Sequence, residues 1–238
     1  MVNFKFLQEE NKVPVKKELS YPKLKIRHPV VAAKISEAWI IEDVNGDVVE
    51  LGKEVEIIII AVRGQYFRYD TQLQRTTHLS EIKPSYAINS AKCLKTNKTI
   101  EQLKNEFKEK FKIEFKFVLI IYGVVKINNQ WKDVIWYVKA SSLQALVEIQ
   151  KELGVKTLSG YYLNLGLKVN KSGGVIYATP VLKQAKNLSE LSDSIMKTLP
   201  NLDELYENFV KEVSYYNSTE TSSFNEETTS PNDIPVEF

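Results

Sequence analysis

One stretch constrains the fold of this chain more than any other: Glu54 to Asp70, EVEIIIIAVRGQYFRYD. Its first half, Val55 to Val62, is a nearly unbroken run of apolar, mostly β-branched residues, which suits a strand covered on both faces or one lying in a tightly curved barrel. Its second half, Arg63 to Tyr69, gathers two arginines, two tyrosines, a phenylalanine and a glycine in seven residues. A rigid element therefore ends in cations and rings, the composition of a binding surface. Alternation puts Phe67 and Tyr69 on the face opposite Tyr66 and Arg68, so one pair points into any groove unless Gly64 marks a bulge.

The segments around it are arranged as strands with helices between them. Residues 1–30 carry prolines at positions 14, 22 and 29 and a basic run around Tyr21, which reads as an extended basic arm or a first edge strand. Residues 35–43, Asn45-Gly46 and the following VVELG read as a strand, a tight turn and a second strand. Residues 71–98 are polar and irregular and read as a long loop with a short strand near Tyr86 to Ile88. Thr99 and Gln102 have capping-box spacing, with Ile100, Leu103, Phe107 and Phe111 on one helical face and a solvated Lys/Glu face opposite.

Phe115 to Ile127 alternates, with Phe115, Phe117, Leu119, Ile121, Val125 and Ile127 on an apolar face and Lys116, Tyr122 and Lys126 on the other. Trp131 to Lys139 sets Val134, Trp136 and Val138 against Trp131, Asp133, Tyr137 and Lys139. Ser141 or Ser142 then caps a helix that ends at Gly154. Tyr161 to Asn170 turns Tyr161, Leu163, Leu165, Leu167 and Val169 inward and Tyr162, Asn164 and Lys168 outward. Lys171 to Gly174 forms a hairpin turn into Val175 to Lys183, where Tyr177 and Lys183 share a face. From Leu188 the period becomes helical and predicts two amphipathic helices.

The fold class is thus β-rich α+β: a basic arm over 1–30, a β domain with inserted helices over 31–187, two C-terminal amphipathic helices over 188–216 and an acidic tail over 217–238. The tail is poor in apolar residues and cannot bury enough surface to offset the entropy of ordering, so it is expected to be disordered. Residues 1–187 hold 30 Lys/Arg against 19 Asp/Glu, whereas residues 217–238 hold no Lys/Arg and five acidic side chains. A basic body with an acidic end suits a protein that meets a polyanion.

Several classes are argued against. Cys93 is the single cysteine and His28 and His78 the two histidines, so neither an internal disulfide nor a Cys/His zinc site is expected. There is no apolar run of about 18 residues and no apolar block of a secretory signal near residue 1; the expectation is a cytoplasmic protein without membrane attachment, metal or cofactor. Walker-type and Gly-x-Ser-x-Gly motifs are absent. Glu81-Ile82-Lys83 and Glu114-Phe115-Lys116 have the form of a metal-dependent nuclease core but lack its upstream aspartate, which leaves a nuclease as a weaker alternative to a non-enzyme.

What remains is a set of aromatics interleaved with cations on neighbouring strands: Arg63, Tyr66, Phe67, Arg68, Tyr69 and Arg75; Lys116, Tyr122 and Lys126; Trp131, Tyr137 and Lys139; Tyr162, Lys168 and Tyr177. Unpaired bases stack on rings, each worth roughly 1 to 3 kcal/mol, while Lys and Arg follow the phosphates. Single-stranded nucleic acid calls for this mixture. The competing readings are cross-strand and core packing, or an adaptor that binds another protein through the same rings.

The chain ends Asp233-Ile234-Pro235-Val236-Glu237-Phe238. Asp233, Ile234, Pro235 and Phe238 resemble the acidic tip of bacterial single-stranded DNA-binding proteins, with Val236-Glu237 inserted and one aspartate in place of several. That resemblance implies a tip that docks on replication or recombination proteins and competes with DNA for the basic body. The lysine-rich β body and this tail together resemble a phage-type single-stranded DNA-binding protein built on an OB-fold, a five-stranded barrel whose face and loops receive single strands. The implied function is binding and protection of single-stranded DNA during replication, recombination or repair, in the cytoplasm of a bacterial host.

Overall fold

The stretch Glu54–Asp70 is one strand of 17 residues, β4, and it lies at the middle of the sheet. The computed structural model describes residues 19–70, 75–108 and 115–218. The expected arm before Leu19, Phe111, Glu114 and the acidic tail with its tip lie outside the described residues. The other strands are β1 (Lys23–Arg27), β2 (Ala38–Glu42), β3 (Val48–Gly52), β5 (Arg75–Leu79), β6 (Lys83–Pro84), β7 (Lys116–Ile127), β8 (Gln130–Val138), β9 (Tyr161–Ser172) and β10 (Val175–Asn187). They form one sheet in the order β10-β9-β4-β7-β8-β1-β2-β3, with β5 and β6 paired to β4 beside that path. All described pairs are antiparallel except β1 with β8. Lys23–Arg27 is therefore an internal strand, not an edge or arm.

The sheet curls into a half-barrel around a concave core. Trp39, Ile57, Ile59, Ile121, Val134, Trp136 and Leu163 fill it, and Trp39 meets Trp136 edge-on with ring centroids 5.1 Å apart. The helix α2 (Ala140–Leu153) closes this core with Leu146 and Ile149. Lys139 occupies its N-cap position, one turn ahead of the expected serines, and Gly154 ends it with φ +65°, the left-handed value a glycine adopts without strain. Another helix, α1 (Ile100–Lys108), has the expected capping box: Thr99 N–H donates to Gln102 Oε1 and Gln102 N–H to Thr99 Oγ1. The loop 71–98 carries more structure than expected, namely β5, β6 and a 3-10 turn over Ser85–Ser90, which stands where a short strand was expected near Tyr86 to Ile88.

A bulge sets the two faces of β4. Ile59 pairs with Gly123 but the next partner of Tyr122 is Ala61, so Ile60 is the extra residue. Ahead of it Val55, Ile57 and Ile59 face the concave core; beyond it Ala61 and Phe67 face the convex side. The bulge lies at Ile60, not at Gly64. It brings backbone so close that a Cβ on Gly123 would lie 2.2 Å from the Ile58 carbonyl oxygen, so glycine is required opposite.

The convex side is covered by the C-terminal helices. In place of two comparable helices there is a single turn, α3 (Asp193–Met196), and a long helix, α4 (Leu202–Ser218), separated at Pro200. Phe209 of α4 stacks on Tyr122, centroids 4.5 Å apart and planes 2° from parallel. Its C-terminal turn is fixed by polar contacts: Gln65 Nε2 donates to the Tyr216 hydroxyl at 2.8 Å, and Asn217 both accepts from Ile82 N–H and donates to its carbonyl. Glu212 accepts from the Ser20 N–H. Among the described residues no helix is long and apolar enough to cross a membrane.

Candidate nucleic-acid interface

Past the Ile60 bulge, β4 presents cations and rings on both faces. On the even face, Gly64 has no side chain, so the Phe117 ring of β7 lies against the strand; a Cβ there would come within 2.7 Å of that ring and 3.2 Å of Ile88 on the 3-10 turn. Phe117 in turn meets the Tyr66 ring at 5.4 Å, and Lys104 of α1 places its Nζ 4.7 Å from the Tyr66 centroid. Arg68 follows on the same face. It is buried, and its guanidinium donates to Thr77 Oγ1 at 3.2 Å.

His78 lies beside it, its Nδ1 3.5 Å from Arg68 Nη1. Thr77 Oγ1 lies 3.1 Å from the same nitrogen. Burial, with the positive charges of Arg68 and Lys95 adding to it, brings the His78 pKa down to about 4.

On the odd face, Lys139 holds its Nζ 5.1 Å from the Phe67 centroid, Lys116 pairs with Phe67 in register, and Tyr69 and Tyr137 pack at the margin of the convex core. Arg63 lies 6.0 Å from both the Tyr206 and Phe209 rings of α4. Arg75 is the backbone register partner of Asp70 in the β4–β5 ladder. The expected residues 63–69, 75, 116, 137 and 139 are thus brought to one end of the sheet.

The others are not. Tyr122 is fully buried beneath Phe209, because the even positions of β7 between its terminal lysines, Val118, Ile120, Tyr122 and Val124, are all apolar and roofed by the C-terminal helices. The expectation of an exposed ring there is corrected. Tyr162 is likewise buried, packed with Ile58, Val124 and Leu191. Burial first, and the carboxylate of Glu56 second, push its hydroxyl up to about 12. Lys126 and Trp131 are at the opposite end of the sheet from Tyr66: Lys126 pairs with Glu56 at 3.6 Å, and the Trp131 indole N–H donates to Thr198 Oγ1 at 3.2 Å. Lys168 and Tyr177 lie on the β9–β10 hairpin, which extends past the start of β4. The single shared face expected from alternation is therefore three separate places. Phe67 and Arg68, expected on open faces, are both buried.

Three residues join the cluster that alternation does not nominate. The odd-position pattern assigns Phe117 to the core, and the helical period assigns Lys104 to a solvated face; only the tertiary fold brings both to Tyr66. Tyr86, at 91 % exposure, stands on the 3-10 turn whose Ile88 touches the Gly64 position. An aromatic in a polar loop is the one sequence signal that marks it.

Glu81 accepts from the Lys92 N–H at 3.0 Å and pairs with Lys83 at 3.3 Å. Among the described residues no three His, Cys, Asp or Glu side chains are grouped to hold a metal ion.

No protein-family model, curated protein or solved structure matches the chain.

Proposed function

We propose that this chain binds and protects single-stranded DNA during replication, recombination or repair, through the end of the sheet formed by the second half of β4 and its neighbours. The observation that carries the reading is a cation set over a half-buried ring pair at one strand end, Lys104 on Tyr66 with Phe117 beside it, and Tyr86 standing open at the rim. A stacked base and its phosphate need those two groups a few ångströms apart, the ring for the π face and the ammonium for the charge. Duplex DNA, whose bases are already stacked, has no use for the rings.

In this reading the curled sheet is an OB-fold-like barrel elaborated with extra strands, and the concave core filled by α2 leaves the strand end and its loops as the place for nucleic acid. Asp233, Ile234, Pro235 and Phe238 recruit replication or recombination proteins, and the protein acts in the cytoplasm.

The test is fluorescence anisotropy of a labelled oligo(dT) titrated with the full chain at several salt concentrations. Engagement of Lys104, Lys116 and Lys139 with three phosphates gives a log–log slope near −2, at about −0.7 per phosphate. No binding, or affinity that does not change with salt, contradicts the reading.

A further inference from the structure

The two edges of the sheet are built differently. β10 carries Pro180, a register shift around Lys183, and an N–H at Ala178 that donates to His28 Nδ1 at 3.1 Å. Proline, a bulge and a hydrogen-bond cap are the usual ways of keeping an edge strand from pairing with another chain. β3 at the opposite edge also has one extra residue, Leu51, at its C-terminal end, but it has no proline and no lysine, and β2 is its one ladder partner among the described residues. The bond from Asp43 N–H to the Asp47 carbonyl, 2.9 Å, fixes the phase of that ladder. With Glu42 opposite Val48 and Ile41 opposite Val49, the next bonded pair is Ile41 with Val49, so Val48 and Glu50 turn their N–H and C=O groups away from β2. The side chains of Val48 and Val49 are 57 % and 48 % exposed.

Charge distinguishes this edge as well. Residues 37–56 hold seven carboxylates against one lysine, Lys53. Lys53 pairs with Glu37, Lys25 with Glu42 and Arg27 with Glu50, each at 2.7 Å. Beside β3 lies a groove of about 440 Å³, lined by Val49, Glu50, Leu51, Glu54, Glu56 and Lys126 among others. Arg27 pairs with Glu50 and Lys126 with Glu56, so the three carboxylates leave a net charge of one negative there, the opposite sign to the other end of β4. A polyanion is repelled by such a groove; an ammonium or guanidinium is drawn into it.

We propose that the open edge of β3 and this acidic groove are a docking site for an extended, lysine- or arginine-bearing segment of a partner polypeptide, which adds to the sheet as a strand beside β3. The outward N–H and C=O groups of Val48 and Glu50 supply main-chain bonds, Val49 packs against the partner's apolar side chains on one face, and Glu50, which shares the other face with Val48, receives its alternate cationic ones. The site is independent of the nucleic-acid reading and stands if that reading fails.

The experiment uses the full chain and two fluorescein-labelled eight-residue peptides, alternating Val-Lys and alternating Val-Glu, with anisotropy as the readout and amide hydrogen exchange followed by NMR. The Val-Lys peptide binds saturably and slows exchange at the Val48 and Glu50 amides, while the Val-Glu peptide does neither. Val48→Pro abolishes binding. Glu54→Lys, which leaves the backbone edge untouched and guards against misfolding of the proline variant, weakens the Val-Lys peptide by about tenfold through like-charge contact. Equal binding of both peptides, unchanged exchange at Val48 and Glu50, or wild-type affinity in Glu54→Lys overturns the proposal. So does protection of those amides that rises with protein concentration alone, which makes the occupant a second copy. Protection already complete in dilute protein and lost on removing residues 1–18 makes it a segment of this chain, and overturns the proposal equally.

Discussion

The two halves of β4 are one continuous strand with opposite duties. Before the bulge, Val55, Ile57, Ile58 and Ile59 are buried with at most 4 % exposure, packed into the concave core on one face and, beside Tyr162 and Val124, beneath the C-terminal segment on the other. After it, both faces carry polar chemistry: Arg63 against α4, Gln65 bonded to Tyr216, Lys104 on Tyr66, Arg68 beside His78. The first half holds positions in place by apolar area, on the order of 25 cal/mol per Å² buried. The second half gains its position from the first; Phe67 and Arg68 are buried in it, and the half-buried Arg63, Tyr66 and Tyr69 are left for other work. A strand covered on both sides specifies fold; where the cover thins, chemistry that would be costly in a core accumulates.

That division is open to attack at its structural side first. Phe209→Ala removes the ring stacked on Tyr122 and leaves a cavity under α4, and is expected to cost about 3 to 5 kcal/mol in urea unfolding. The molecules that remain folded should bind oligo(dT) as before. A loss of affinity larger than the loss of folded protein would mean that α4 takes part in binding and that the two halves are not separable.

Tyr86→Ala sharpens the other side. The ring touches little and is nearly fully exposed, so stability should stay within about 0.5 kcal/mol. Affinity for oligo(dT) should fall by roughly 1 to 3 kcal/mol, the worth of one stacked base, with no change toward an abasic strand of the same length. Equal loss on both strands would assign Tyr86 a structural part instead.

The smallest effect concerns His78. Its folded pKa of about 4 lies below the ordinary 6.5, so between those values the unfolded chain binds the proton and the folded chain does not. The stability it contributes is complete above about pH 6.5 and is lost as pH falls toward 4. His78→Gln should flatten the dependence of the unfolding midpoint on pH across that window relative to wild type. Parallel curves for the two proteins would show that the Arg68–His78 contact does not hold the ring neutral.

Much of the concave core was legible in the sequence because it obeys a local rule. Leu119, Ile121, Val125, Val134, Trp136, Leu163 and Leu165 alternate and all face inward. The Glu54–Asp70 strand, the capping box at Thr99 and the Gly154 cap were equally local. The bulge was not, because four consecutive isoleucines carry no period and any of them fits the extra position. Tyr122 and Tyr162 were read as surface rings because alternation cannot see a second layer: the roof over them is made by Phe209 and Leu191, far along the chain. Lys104 and Phe117 were missed at the site for the converse reason, since each fits a bland local role until α1 and β7 meet Tyr66.

The central claim is that single-stranded DNA lies against the far end of β4. Photo-cross-linking of a 5-iodouracil oligonucleotide to the full chain, with the modified peptides read by mass spectrometry, tests it most directly, because aromatic side chains stacked on the base are the ones that couple. The account predicts cross-links at Tyr66, Tyr86 and Phe117 and none on residues 48–56. Cross-links concentrated on the β2–β3 hairpin or the acidic groove, or no cross-link at all, would contradict it.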